Sequence, residues 1–172
     1  MKKGYPIEGI ELNKTYVTGN FIAQFNPKLV KNSHQILENI SSKDAILIYA
    51  RAENRFKGID KEPRAGLRSG HIPGSINIPY TKILRNGKFL PKKDLIKILQ
   101  SDTKPKIFTC GSGVTACIVL LAYELIDNSP KAVYDGSWSE WGQVENLPIE
   151  QDTFLIMWLP QRSTLSPYSL LF

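Results

Sequence analysis

Residues 45–50 read Ala-Ile-Leu-Ile-Tyr-Ala, an apolar run with no polar side. A strand of that kind is buried on both faces and belongs inside a sheet. The segments around it read alternately as helix and strand. Ser33 caps a short helix running to Ile40, with Ile36, Leu37 and Ile40 on one face. Residues 76–78 form a short strand stopped by Pro79. Pro91 starts a helix in which Leu95, Ile96 and Leu99 recur at helical spacing. Residues 106–109 form another strand, and residues 114–126 a strongly apolar helix expected to be the most buried of all. Residues 132–134 read as a strand and residues 137–141 as a short helix capped by Asp135 or Ser137. This alternation predicts an α/β layered domain.

The chain of 172 residues fits one such domain and is long enough to bury a full core without metals or disulfides. Its 22 basic and 16 acidic side chains give a formal charge of +6. The basic residues are scattered, so they read as a solvated surface that also attracts small anions, not as a nucleic-acid footprint. The longest apolar run, residues 154–159, is far too short to span a bilayer, and no membrane partner is expected. Cys110 and Cys117 are the two cysteines. With neither a paired histidine nor a close second cysteine, they make no zinc site. Two turns of one helix would set them roughly 10 Å apart, too far for a disulfide. Free thiols and an N-terminus without a signal-peptide stretch lead to the expectation of a reducing, cytoplasmic setting. No metal and no other cofactor is expected.

The segment Ile107-Phe108-Thr109-Cys110-Gly111-Ser112-Gly113-Val114-Thr115-Ala116 carries the chemistry. An apolar strand runs into a cysteine, a glycine-rich turn and a helix. Cys110 thus lies at the carboxyl end of a strand, where α/β sheets bind ligands, and at a helix N-terminus, where free N–H groups favour a thiolate. Gly111 and Gly113 let the backbone curl so that several N–H groups point inward, and Ser112 and Thr115 add hydroxyls. A cysteine phosphatase would need an arginine six positions after Cys110 to clamp phosphate, and that position is Ala116. Cys117, flanked by apolar residues, reads as a core position. The polar stretch 52–70 is long for a loop, and loops of that length are usually either functional or disordered.

Residues 110–116 resemble the active-site loop of 3-mercaptopyruvate sulfurtransferases, within the rhodanese superfamily. Two further stretches resemble signatures of the same family: Ser69-Gly70-His71-Ile72-Pro73-Gly74-Ser75 and Tyr134-Asp135-Gly136-Ser137-Trp138-Ser139-Glu140-Trp141. The resemblance is to the second, catalytic domain of these enzymes. It implies a rhodanese-like domain, a parallel sheet flanked by helices on both faces, over residues 19–149. Residues 1–18 would then be a lead-in and residues 150–172 an atypical apolar tail. It further implies that Cys110 takes sulfur from a small anionic donor, 3-mercaptopyruvate or thiosulfate, as a persulfide. A thiol, thioredoxin or cyanide would accept that sulfur. Arg55 and Arg64 match the family's donor-binding arginines, and Gly111, Gly113, Val114 and Thr115 of the loop are expected to bind the donor with them. Ser112 either relays a proton or shapes the cradle. His71, Trp138 and Trp141 are expected to order and pack the fold, and Arg51 and Arg68 to be structural.

Two departures stand out. The family's Asp-Ala-Arg is here Tyr49-Ala50-Arg51. Members of the family also carry two such domains, with the site between them, whereas this chain resembles only the second. A separate first domain or self-association would complete the site. The alternatives to an enzyme are a single-domain sulfur carrier and a weakly active remnant of a two-domain sulfurtransferase.

Overall fold

A computed structural model describes residues 17–100 and 102–152. Most of the predicted lead-in and the tail from residue 153 onward lie outside the described residues. The elements, in chain order, are β1 (Val30–Lys31), α1 (Ser33–Ser42), β2 (Ile46–Tyr49), α2 (Glu53–Phe56), β3 (Ile76–Asn77), β4 (Leu84–Arg85), β5 (Lys88–Phe89), α3 (Lys92–Leu99), β6 (Lys106–Thr109), α4 (Val114–Glu124), β7 (Lys131–Tyr134) and α5 (Ser137–Trp141).

Five strands form a sheet in the order β1-β7-β6-β2-β3, and every pairing in it is parallel. The apolar run at 45–50 lies next to the middle strand, with Leu47 opposite Ile107 and Ile48 opposite Phe108. The period of two along these strands divides the core. Ile48, Ala50, Phe108 and Cys110 pack on one face with Leu95 and Leu99 of α3 and with Ala116, Val119 and Ala122 of α4. Leu47, Tyr49 and Ile107 pack on the other with Ile36 of α1 and with Trp138 and Trp141 of α5. The expected architecture, a parallel sheet with helices on both faces, is what the chain adopts.

Several local readings differ. The cap of α1 is Asn32, not Ser33. The Asn32 side chain accepts from the Gln35 N–H at 3.0 Å and the Gln35 side chain accepts from the Asn32 N–H at 3.1 Å, a reciprocal box that outcompetes a single serine. The helix also runs past Ile40 to Ser42, and Leu37 is exposed. Neither Asp135 nor Ser137 caps α5, whose start is Gly136 with no side-chain bond. The stretch at 52–70 is not all loop, since α2 forms one turn within it. The β4–β5 hairpin, turned through Asn86-Gly87 with positive φ at both, was legible as an Asn-Gly turn but was not anticipated.

Helix α4 is less buried than its composition implies. Val114, Leu121 and Leu125 are exposed, as is Cys117, whose thiol lies 3.4 Å from the Gly113 carbonyl. Cys117 is therefore a surface thiol and not a core residue. An apolar helix packed on a sheet through one side leaves its opposite side outward whatever its composition. No helix among the described residues is long and apolar enough to cross a membrane.

Candidate active site

Cys110 follows β6 directly, at the carboxyl edge of the sheet, and is 2% exposed. Gly113 caps α4 with φ of +84°, a left-handed conformation that a side chain would strain. That turn brings the N–H groups of Ser112, Thr115 and Ala116, together with the Thr115 hydroxyl, onto the thiol. Burial is the largest influence and pushes the thiol up, but these four hydrogen bonds together outweigh it, so Cys110 sits below the ordinary thiol range. Ser112 meets the thiol through its backbone, while the hydroxyl that reaches it belongs to Thr115.

The carbonyl side of the loop is anchored by α5. Trp138 N–H donates to the Cys110 carbonyl at 3.0 Å, and Ser139 N–H donates to the Gly111 carbonyl at 2.9 Å. With these carbonyls turned toward α5, the loop's N–H groups are free to face the thiol. The Ser139 hydroxyl donates to the same Gly111 oxygen and accepts from Arg64. Nothing in the sequence around Ser139 signals this role, because its partners lie 28 and 75 residues away.

The two arginines singled out from the sequence converge on this loop. Arg55 and Arg64, with Glu62, Leu67, Gly111 and Ser112, line a pocket of about 150 Å³. Val114, by contrast, is exposed at the first turn of α4. Glu62, which the sequence reading passed over, organises the pocket. Its carboxylate is 1% exposed, accepts from Arg55 at 2.6 Å and also pairs with Arg51. Arg51 is itself buried, donates to the Gly70 carbonyl and stacks over the rings of Tyr49 and Trp138. Tyr49 is wholly buried and packs edge-on against Phe56 and Trp138. Its aromatic ring thus supports Arg51 by stacking, and Glu62 supplies the carboxylate.

His71 orders its turn. Its ring stacks on Phe56 with centroids 3.7 Å apart, Nδ1 meets the Phe56 carbonyl at 2.8 Å, and its backbone pairs with Glu150 in both directions. Trp138 and Trp141 are fully buried, each donating its indole N–H to a backbone carbonyl. Arg68 donates to the carbonyls of Trp141, Gly142, Val144, Glu145 and Leu147, which fixes the strand of chain leaving α5.

A rhodanese-like domain model matches residues 32–143. Over 126 residues, 70% of this chain and 42% of the relative, the sequence is 45% identical to the 3-mercaptopyruvate sulfurtransferase of Mus musculus. Over 147 residues, 82% of this chain and 49% of the relative, it is 40% identical to the thiosulfate sulfurtransferase of Rattus norvegicus. The crystal structure of SseA from Escherichia coli, described as showing the rhodanese fold and catalytic mechanism of 3-mercaptopyruvate sulfotransferases, matches with a TM-score of 0.60 at 40% identity, covering 71% of this chain and 47% of that one. The chain spans about half the length of the curated relatives it matches. The parallel sheet, the cradled thiol after its middle strand and these matches lead to one conclusion: the chain belongs to the rhodanese family.

Proposed function

We propose that the chain is the catalytic half of a sulfurtransferase, moving sulfur from 3-mercaptopyruvate to a thiol or cyanide through a persulfide on Cys110. The observation that carries this reading is the placement of Arg55 and Arg64 in one pocket with the loop that cradles the Cys110 thiol. Paired guanidiniums suit a carboxylate beside a keto group, and a thiolate held by N–H donors suits attack on sulfur.

In this mechanism the Cys110 thiolate attacks the donor's sulfur. A sulfur–sulfur bond forms, the carbon–sulfur bond breaks, and its electron pair leaves with the three-carbon fragment as an enolate. The enolate takes the donor's sulfhydryl proton and departs as pyruvate. An acceptor thiolate or cyanide then attacks the outer sulfur and returns Cys110 to the thiolate. The same N–H donors that lower the thiol hold the negative charge of the persulfide, so the intermediate is stabilised without rearrangement. The Thr115 hydroxyl, which reaches the thiol, lies near the path of the proton. Thiosulfate is the alternative donor, and thioredoxin is among the thiol acceptors. The setting is the cytoplasm, where both cysteines stay reduced.

The match covers about half of each relative's length, and a further domain, in the same chain or separate, or a second copy of this chain would complete the site. A pure sulfur carrier would have no use for a carboxylate clamp. Replacing Arg55 and Arg64 together by Ala separates the two. The enzyme reading expects the KM for 3-mercaptopyruvate to rise ~100-fold or more, on the scale of losing two charged hydrogen bonds. An unchanged KM contradicts it and supports the carrier.

A further inference from the structure

We infer that Glu62 sets the charge of the donor pocket and thereby makes it select a monoanionic donor over a dianionic one. This rests on the reading of the pocket as the donor site.

The Glu62 carboxylate is 1% exposed and has both oxygens engaged, one by Arg51 and one by Arg55. Water does not screen a charge so placed, and it acts on the pocket at short range. Arg51, behind Glu62, reaches Gly111, its Cδ lying 4.0 Å from where a Gly111 side chain would begin; an Arg55 terminal nitrogen lies 3.9 Å from the same point. The charged groups that line the pocket are the guanidiniums of Arg55 and Arg64 and the Glu62 carboxylate. Arg51 and the Cys110 thiolate are buried behind it and carry opposite charges. Asp135, whose carboxylate oxygen lies 3.4 Å from where a Gly113 side chain would begin, is exposed to solvent, which screens it. The balance of the lining is one positive charge, which complements a single carboxylate. Without Glu62 the balance is two, which complements a dianion such as thiosulfate.

Glu62 also orients the clamp. It occupies one terminal nitrogen of Arg55, while the Arg55 Nε is buried without a partner among the described residues. That ion pair holds the guanidinium against the wall of the pocket.

Pyruvate and oxalate test this, because they share a planar two-carbon oxygenated head but carry one and two negative charges at neutral pH. The probe is the rate at which iodoacetamide, which is uncharged, alkylates Cys110 in the full chain carrying Cys117→Ser, read by intact mass. The expected result is that pyruvate protects Cys110 at a concentration at least ~10-fold lower than oxalate does. Glu62→Gln should move that ratio ~10-fold or more toward oxalate, and Glu62→Asp, which keeps the charge, should leave it nearly in place. Equal protection by the two anions in the Cys117→Ser chain, or an unmoved ratio in folded Glu62→Gln, overturns the inference. Should Glu62→Gln fail to fold, the two anions on the Cys117→Ser chain and on Glu62→Asp decide it. Selective protection without persulfide formation from 3-mercaptopyruvate would sink the sulfurtransferase reading alone; persulfide formation without selectivity would sink this inference alone.

Discussion

The Ser139 hydroxyl donates to the Gly111 carbonyl oxygen at 2.6 Å, so the loop that cradles the thiol is held from α5. The same oxygen of Ser139 accepts from Arg64. One hydroxyl thus couples the position of the nucleophile's loop to the position of a clamp arginine. Ser139→Ala removes both bonds but leaves the Ser139 N–H on Gly111. Its expected effect is a rise of ~10-fold in the donor KM with a smaller change in kcat, matching the loss of about one charge-assisted hydrogen bond. Steady-state kinetics with 3-mercaptopyruvate check this, and Ser139→Thr, which keeps the hydroxyl, is expected to recover most of the loss.

The environment of Cys110 predicts the pH dependence of its reactivity. Burial raises the thiol, and the Thr115 hydroxyl and three N–H groups more than compensate, leaving it below the ordinary range. Alkylation of Cys110 by iodoacetamide, in the chain carrying Cys117→Ser, should reach half its maximal rate at a lower pH in the folded chain than in the same chain unfolded in urea. Thr115→Val should move the Cys110 midpoint upward. A lowered native pKa also links to stability. Between the native and unfolded values the unfolded chain still holds a proton that the native chain has lost, so stability rises with pH across that window. The contribution is complete above the unfolded value and is lost as pH falls through the native one. Urea unfolding across the window, compared with Cys110→Ser, measures it.

Arg68 predicts a stability effect without a direct effect on chemistry. It satisfies five backbone carbonyls between Trp141 and Leu147, and the Trp138 indole donates to its own carbonyl at 2.9 Å. Arg68→Met keeps the stem and removes the donors. The expected cost is about 3 kcal/mol in urea unfolding, the scale of leaving several partly buried acceptors unpaired. The Cys110 alkylation midpoint should stay where it is below the unfolding transition.

What could be read from the sequence was local. The strand, cysteine, glycine turn and helix of residues 106–126 are contiguous, so their geometry follows from periodicity, from a left-handed glycine and from the free N–H groups of a helix start. Burial of residues 45–50 on both faces followed from their unbroken apolar run, whereas the order of the strands in the sheet, set by contacts between segments distant in the chain, was not legible. Glu62 was not legible, because a glutamate in a polar loop looks solvated until the fold brings Arg51 and Arg55 around it. Ser139 was hidden for the same reason, its partners being distant in the chain. Cys117 was misread because composition reports how apolar a helix is and not which of its sides faces the sheet. Tyr49 shows the converse. Its place in an apolar strand was plain, but its stacking beneath Arg51 depends on Trp138, 89 positions further along.

The central claim is that Cys110 carries the sulfur, and electrospray mass spectrometry of the intact chain after brief incubation with 3-mercaptopyruvate tests it most directly. The expected result is a gain of one sulfur atom on the unsubstituted chain and on Cys117→Ser, none on Cys110→Ser, and pyruvate released in equal amount. No gain on the unsubstituted chain while Cys110 remains open to alkylation, or a gain that persists in Cys110→Ser, would contradict the account.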